Sequence, residues 1–202
     1  MTRKTVAPYG AWASPIDAAQ IAAGALRLSE VHLTPEAIFW QECRPAEGGR
    51  CVVVREDIGG ERTDLNPAPF NTRTRVHEYG GGAWLVEGAS LIFSNYDDQR
   101  LFRVVPGREL EPITPEEDVR YADGVWDRRL GRIVCVREDH RLSNARPVNT
   151  IVAIDPNKDH CGEILVTGND FYAAPRLNPD GTRLAWLTWN HPDMPWDAAE
   201  LW

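Results

Sequence analysis

The stretch Arg73-Thr-Arg-Val-His-Glu-Tyr-Gly-Gly-Gly-Ala-Trp84 places two arginines, a histidine, a glutamate and a tyrosine directly before three consecutive glycines. Glycine adopts positive φ without steric cost and lets another chain or a ligand approach the backbone closely. The pattern therefore predicts a strand over residues 74–79 with polar side chains, then a tight glycine turn, then a new strand that begins near Trp84.

Apolar runs on either side of this stretch recur at similar spacing. Equivalent positions fall at Phe39, Phe93, Cys135 and Trp186, and the intervals between them are 54, 42 and 51 residues. Periods of roughly 40 to 50 residues are typical of four-stranded propeller blades, which bury their faces only by stacking on neighbouring blades. The spacing therefore predicts repeated copies of one small antiparallel sheet.

We predict an all-β chain that forms a partial β-propeller of about four blades, each a four-stranded antiparallel sheet. An N-terminal extension with a short helix is expected over residues 1–25, with Ser14 as its N-cap. The last blade is expected to be incomplete, because the chain stops as a third strand begins and leaves an open strand edge. The propeller is assigned to residues 26–202, with blades at roughly 26–66, 73–115, 118–167 and 170–202.

Composition agrees with this fold. The 202 residues include 43% hydrophobic residues, 16 glycines and 15 prolines, which suits a buried core with many turns and few long helices. The formal net charge of −8 argues against nucleic acid or an anionic membrane surface as a partner. No apolar run is long enough to cross a bilayer, so a membrane is also excluded as a partner.

The four cysteines, Cys43, Cys51, Cys135 and Cys161, show no CxxC spacing, and no apolar leader precedes the first blade. Neither a zinc site nor secretion is therefore predicted, and we expect no metal or cofactor. Cys43 and Cys51 flank a predicted hairpin, where a disulfide is conceivable. We interpret all four instead as small buried hydrophobic residues of a protein in a reducing cytoplasm.

Several longer runs resemble the N-terminal β-propeller of prolyl oligopeptidase family serine peptidases. Within that family the resemblance is to the acylaminoacyl peptidase and dipeptidyl aminopeptidase branch. The matching runs are residues 73–84, 94–103, 120–123, 135–140, 170–181 and 189–197.

The resemblance implies a two-domain enzyme in which a propeller covers an α/β-hydrolase domain and admits only short or unfolded peptides to a Ser-Asp-His triad. No Gly-x-Ser-x-Gly nucleophile elbow occurs in these 202 residues. We therefore expect no catalytic residue in this chain, no α/β-hydrolase domain and no activity from the chain alone. The expected role is the non-catalytic part of a cytoplasmic serine exopeptidase, which gates short peptides and docks the catalytic domain.

Two other functions remain open. The chain could be a free-standing propeller scaffold that binds a protein partner, which the missing triad favours and the incomplete last blade disfavours. It could also be a propeller that binds a small ligand or carbohydrate, for which the tryptophan-rich blades are suggestive.

Glu78 is the candidate substrate-binding residue. The innermost strand of a blade lines the central channel, where a carboxylate held in place can bind the charged amino terminus of a peptide. Arg73, Arg75, His77 and Tyr79 are expected to position it, although adjacent residues of an extended strand, such as 77 and 78, point to opposite faces. The alternative is an Arg–Glu pair that closes a blade junction above Tyr79.

The loop from His191 to Asp197 is a second candidate, for a domain interface or the rim of the substrate site. Two prolines stiffen it, and Trp196 offers a flat apolar face, with His191 and Asp193 beside it. The alternative is that Trp196 packs back into its own blade.

Overall fold

A computed structural model describes residues 6–141 and 146–202 of the chain. Four antiparallel sheets follow one another along the sequence, and in each sheet the strands lie in chain order. Three sheets have four strands and the last has three, which confirms the partial four-bladed propeller with an incomplete last blade. The sequence also predicts a long polar hairpin loop in blade 3 over residues 139–147, and part of this loop lies outside the described residues.

The predicted N-terminal helix is present as α1 (Ala18–Gly24) and lies against a 3-10 turn of the first blade. Asp17, not Ser14, is its N-cap: the Asp17 carboxylate accepts a hydrogen bond from the Gln20 N–H at 2.7 Å. The prediction of Ser14 was wrong because its hydroxyl is used locally, donating to the Ile16 carbonyl and accepting from the Ile16 N–H.

Blade 1 consists of β1 (Arg27–Leu33), β2 (Ala37–Arg44), β3 (Arg50–Asp57) and β4 (Arg62–Asp64). The strands that the sequence predicts here, residues 26–31, 37–42, 50–55 and 61–65, agree with these to within two residues at each end. β4 is the outermost strand, so one side of its backbone has no strand neighbour within the described residues.

The cysteine prediction was wrong for one pair. Cys43 on β2 and Cys51 on β3 face each other directly in the strand register and form a disulfide, with their Cα atoms 4.0 Å apart. Directly opposed residues of an antiparallel pair come within disulfide range, and this juxtaposition follows from the hairpin register. Cys135 and Cys161 are free.

Blade 2 consists of β5 (Trp84–Glu87), β6 (Ser90–Ser94), β7 (Leu101–Val104) and β8 (Glu111–Pro112). The predicted first strand over residues 74–79 is a turn instead, so the blade begins at Trp84. The alternating pattern failed there because two consecutive non-glycine residues, 77 and 78, adopt left-handed backbone conformations that a strand cannot contain.

Blade 3 consists of β9 (Val119–Asp127), β10 (Arg132–Asp139), β11 (Val148–Ile154) and β12 (Glu163–Val166). The strands that the sequence predicts here, residues 118–126, 132–138, 149–155 and 163–167, agree with these to within one residue at either end. The strand β10 pairs along almost its whole length with β9 on one side and β11 on the other, with one bulge against β9.

Blade 4 consists of β13 (Phe171–Leu177), β14 (Leu184–Trp189) and β15 (Glu200–Leu201), with the short helix α2 (Pro195–Ala198) between the last two strands. The predicted repeat is confirmed, since the four equivalent positions Phe39, Phe93, Cys135 and Trp186 all lie on the second strand of their blades. Among the described residues, neither helix has the length and apolar character needed to cross a membrane.

The core consists of three clusters, each shared by two successive blades. One joins blades 1 and 2 around Phe39 and Phe93, one joins blades 2 and 3 around Ile92 and Tyr121, and the third joins blades 3 and 4. Each sheet therefore buries its faces on its neighbours, as the stacking of propeller blades requires.

The innermost strands of blades 1, 3 and 4 contain the same irregularity. In each, two residues of the first strand lie opposite one residue of the second, and the first of the two has positive φ: Glu30, Asp123 and Ala174. A bulge of this kind bends the strand and redirects a side chain. Here it places the Glu30 and Asp123 carboxylates beside the backbone of blade 2.

Candidate functional site

The turn over residues 75–79 precedes blade 2 in the chain and is hydrogen-bonded to blade 3. The Glu78 N–H donates to the Arg75 carbonyl at 2.9 Å, and the Gly80 N–H donates to the Val76 carbonyl at 2.9 Å. His77 and Glu78 have φ values of 55° and 66°. Strained non-glycine conformations of this kind persist only where surrounding contacts hold them.

Glu138 on β10 provides those contacts. One of its carboxylate oxygens accepts a hydrogen bond from the His77 N–H at 2.7 Å, and the other lies 3.2 Å from Arg120 and 2.6 Å from His140 Nε2. The Glu138 side chain is almost fully buried. A buried carboxylate with this many partners fixes the turn of blade 2 to blade 3.

Glu78 projects from the turn into solvent. Its carboxylate accepts a hydrogen bond from Arg120 Nη1 at 2.6 Å, yet the side chain is 79% exposed. The Arg120 guanidinium lowers the pKa of Glu78, so the group is ionised at neutral pH. We call Glu78, Arg120, Glu138 and His140 the charged cluster.

The charged cluster contains an Arg–Glu pair at a blade junction and also an exposed Glu78 carboxylate, the two alternatives considered for Glu78. An Arg–Glu pair does close a blade junction, but the Glu78 carboxylate remains available on its outer side. The arginine is Arg120 on β9, which lies 42 residues away in sequence and was not considered as a partner.

The His77 ring packs among aromatic rings and not against the Glu78 carboxylate. It packs against Phe171 at 5.2 Å and Trp189 at 5.6 Å between ring centroids, with Tyr79 at 5.7 Å. Burial lowers the pKa of His77, so its ring is neutral at pH 7. His77 thus joins blade 2 to blade 4.

Arg75 and Tyr79 are also placed differently from each other. The Arg75 guanidinium stacks over the Tyr96 ring at 4.4 Å and donates to the Tyr96 carbonyl at 2.9 Å, so it does not hold Glu78. Tyr79 is exposed and borders a small cavity lined also by Glu30, Gly80 and Gly81. Of the other residues expected to position Glu78, Arg73 also lies over the Tyr96 ring, at 4.9 Å, which leaves Tyr79 as the exposed ring beside the turn.

The three glycines admit a neighbouring blade. The Asp123 carboxylate accepts hydrogen bonds from the Gly82 N–H at 2.6 Å and from the Ala174 N–H at 2.8 Å. A Cβ at Gly82 would lie 3.0 Å from that carboxylate, which explains the glycine. Asp123 thereby ties blades 2, 3 and 4 together, and Glu30 of blade 1 lies 3.3 Å from the Ala83 N–H.

The loop from His191 to Asp197 is linked to the turn over residues 75–79 through Phe171. The His191 ring packs edge-on against the Phe171 ring, with 4.8 Å between ring centroids. The Phe171 ring also stacks on Trp189 at 5.4 Å and contacts His77 at 5.2 Å. We call His77, Phe171, Trp189 and His191 the aromatic cluster. It brings two loops that are more than a hundred residues apart in sequence onto one face of the propeller.

Trp196 does not pack into its own blade. It lies on α2 and is 75% exposed, while Asp193 closes a turn by donating its N–H to the Asn190 carbonyl at 3.0 Å. The flat apolar face predicted for an interface is therefore available. In the described part of the chain, no group of three or more potential ligands is arranged to bind a metal ion.

Comparison with solved structures finds neighbours over almost the whole chain. A puromycin-hydrolysing peptidase of Mycobacterium tuberculosis has 42% sequence identity over 98% of this chain, with a TM-score of 0.83. A puromycin hydrolase has 34% identity over 98% of the chain, with a TM-score of 0.84. This chain spans only 32% and 33% of the length of those two proteins.

TolB from Acinetobacter baumannii, at 13% identity and a TM-score of 0.56, shares the fold alone; the match covers 87% of this chain and 40% of TolB. No family model matches the chain, and no curated protein does. The resemblance read from the sequence is thus supported by structural neighbours that are peptidases.

Proposed function

We propose that this chain, which corresponds to the propeller portion of the prolyl oligopeptidase family, acts as the non-catalytic part of a serine exopeptidase. In this proposal it gates the access of short peptides and docks an α/β-hydrolase domain that carries the Ser-Asp-His triad. The observation that carries it is the match to the puromycin-hydrolysing peptidase at 42% identity over 98% of this chain.

Glu78 is proposed to hold the amino terminus of a peptide. Its ionised carboxylate is exposed, and Arg120 and the buried Glu138 behind it restrain its position. A charge held by a rigid surround binds an ammonium group with little reorganisation. This arrangement favours substrates with a free amino terminus, of the dipeptidyl or aminopeptidase type, over the acylaminoacyl type, whose substrates have an acylated amino terminus and no ammonium group.

Trp196 is proposed to pack at the interface with the catalytic domain or at the rim of the substrate site. Exposed tryptophan side chains contribute strongly to interfaces because they bury a large apolar area at low entropic cost. Contact between the rings of His191 and Phe171 links the loop that carries Trp196 to His77, the residue before Glu78.

The first test is the coding sequence beyond the codon for Trp202. An in-frame continuation that encodes Gly-x-Ser-x-Gly supports the exopeptidase, and its absence supports a scaffold that binds a protein partner. The chain alone is expected to hydrolyse no peptide, and hydrolysis by the purified 202 residues would contradict the proposal.

The second test uses the protein in which this propeller is joined to its catalytic domain. Glu78→Gln is expected to lower kcat/KM by roughly tenfold or more for peptides with a free amino terminus, and to leave acetylated peptides unchanged. Glu116→Gln, at an exposed glutamate away from the turn, is the matched control. An unchanged preference in Glu78→Gln rules out this role.

Trp196→Ala in the same protein tests whether Trp196 contributes to an interface or to the stability of the propeller. Because Trp196 is exposed, its loss is expected to lower peptide turnover without changing thermal unfolding of the propeller. A change in unfolding with unchanged turnover would discard the interface role.

A further inference from the structure

A groove of about 610 Å³ lies between the outer strands of blades 1 and 2, away from the charged cluster. Its apolar walls come from Leu65 and Pro67 of blade 1 and from Val104, Pro106 and Leu110 of blade 2. Three of these side chains, Leu65, Val104 and Leu110, also pack against the core that the two blades share. They cannot move into the groove without disturbing that core, so the groove is preformed.

The charges of the groove are unbalanced. Arg55 and Arg108 both line it, and within the described residues neither forms an ion pair. Asp64, the one acidic residue among those that line the groove in the described part of the chain, accepts hydrogen bonds from Arg44 at 2.5 and 2.8 Å. Two arginines are thus free to bind anions, on a chain whose net charge is −8.

The outermost strand of blade 1 forms part of the groove. Thr63 and Asp64 of β4 line it, and β4 pairs with β3 on one side only. An edge strand offers backbone N–H and C=O groups to an added extended chain. The groove therefore combines apolar pockets, cationic side chains and a free strand edge.

We propose that this groove binds an extended peptide segment of a partner protein in which apolar side chains lie next to carboxylates. Leu65, Val104 and Leu110 bury the apolar side chains, while Arg55 and Arg108 pair with the carboxylates, for which the guanidinium fork is suited. The volume lies within the range of roughly 300 to 1,000 Å³ that is usual for binding pockets. Two arginines beside apolar walls do not suit nucleic acid, which requires a row of cations along its backbone.

The test is fluorescence anisotropy of the labelled peptide Asp-Leu-Ile-Asp-Leu-Asp with the 202-residue chain, at a chain concentration at which light scattering shows a monomer. Two comparison peptides replace either every Asp by Asn or every Leu and Ile by Ser. We expect binding of the acidic apolar peptide, binding at least about tenfold weaker for each comparison peptide, and weaker binding as salt is raised. Absence of binding, or equal binding of the Asn peptide, overturns the proposal.

Charge reversal locates the binding to the groove. Arg108→Glu and Arg55→Glu are each expected to weaken binding by roughly tenfold or more, whereas Arg183→Glu, at an exposed arginine of blade 4, is expected to have no effect. Arg108 lies on an exposed turn, so its substitution leaves the fold intact, which circular dichroism checks. Unchanged affinity in Arg108→Glu overturns the proposal, because the peptide would then bind elsewhere.

Discussion

At the scale of single residues, two carboxylates join neighbouring blades: Glu138 is buried, and Glu30 lies on an exposed strand of blade 1. Glu138 bonds to the turn of blade 2 and to Arg120 and His140 of its own blade, and Glu30 reaches from blade 1 to Ala83 of blade 2. Such groups stabilise the fold only while their partners remain in place, because an unpaired buried charge is costly.

Glu30 is expected to make stability depend on pH. Its carboxylate lies close to Asp123, Arg27 and the Ala83 N–H, and partial desolvation of the carboxyl group raises its pKa from 4.5 to about 7, although the residue as a whole is exposed. A carboxyl whose pKa is raised on folding stabilises the protein in its protonated form. That contribution is fully present below pH 4.5 and is lost as the pH rises through about 7.

We therefore expect the Tm of Glu30→Gln to fall less than that of the original chain as the pH rises from about 5 to about 8. Differential scanning calorimetry across this range measures the effect. Glu36→Gln, at an exposed glutamate of the turn after β1, is the control. Parallel pH profiles for the original chain and Glu30→Gln would contradict the assignment.

At the scale of elements, bulges in the first strands matter more than the regular pairing. The bulges in β9 and β13 bring Asp123 and Ala174 together, and the Asp123 carboxylate accepts N–H groups from blades 2 and 4. Three blades are thus connected through one side chain on an inner strand.

Asp123→Ala is expected to destabilise the chain by about 2–3 kcal/mol, because two backbone N–H groups lose their acceptor. Asp123→Asn, which keeps one acceptor oxygen, is expected to lose roughly half as much. Urea denaturation measures both, with the exposed Asp118→Ala as the control. Equal stability of all four proteins would show that Asp123 does not join the blades.

The hairpin of β2 and β3 is expected to respond to reduction. A disulfide that closes a loop with a sequence separation of 8 restricts the unfolded chain, which corresponds to about 2.5 kcal/mol in the chain-entropy account. Dithiothreitol should therefore lower the Tm of the original chain and leave the Cys43→Ser, Cys51→Ser double variant unchanged. If reduction has no effect on the original chain, the disulfide does not stabilise the fold.

At the scale of the whole molecule, the two outer blades leave apolar surface uncovered. Leu28, Val31 and Leu33 of blade 1 are exposed, as are Leu201 and Trp202 of blade 4. Exposed strand edges with large apolar side chains favour association between chains.

The isolated chain is accordingly expected to self-associate and to unfold with low cooperativity. Light scattering coupled to gel filtration measures the association, which Leu33→Asp or Leu201→Asp should reduce. Leu130→Asp, at an exposed leucine of a blade 3 turn, should not reduce it. A monomer with a sharp, reversible unfolding transition would contradict this expectation.

Most of the fold could be predicted from the sequence, and less of the candidate site. The strands of blades 1 and 3 were predicted closely because apolar alternation and turn residues act over a few positions. The strand over residues 74–79 was wrong because its conformation depends on Glu138, 61 residues from His77. Arg120 was missed for the same reason, although it begins the run 120–123 that resembles the family.

The sequence by itself determined the repeated four-stranded unit, the order of the blades and the likeness to a peptidase propeller. Each of these depends on local residue patterns or on short runs that resemble the peptidase family. Only the tertiary structure decided the partners of Glu78 and Arg75, the meeting of His77 with His191 on Phe171, the Cys43–Cys51 disulfide and the groove between blades 1 and 2. Those features arise where separate blades or strands are packed side by side. No spacing along one chain specifies which side chains then come into contact.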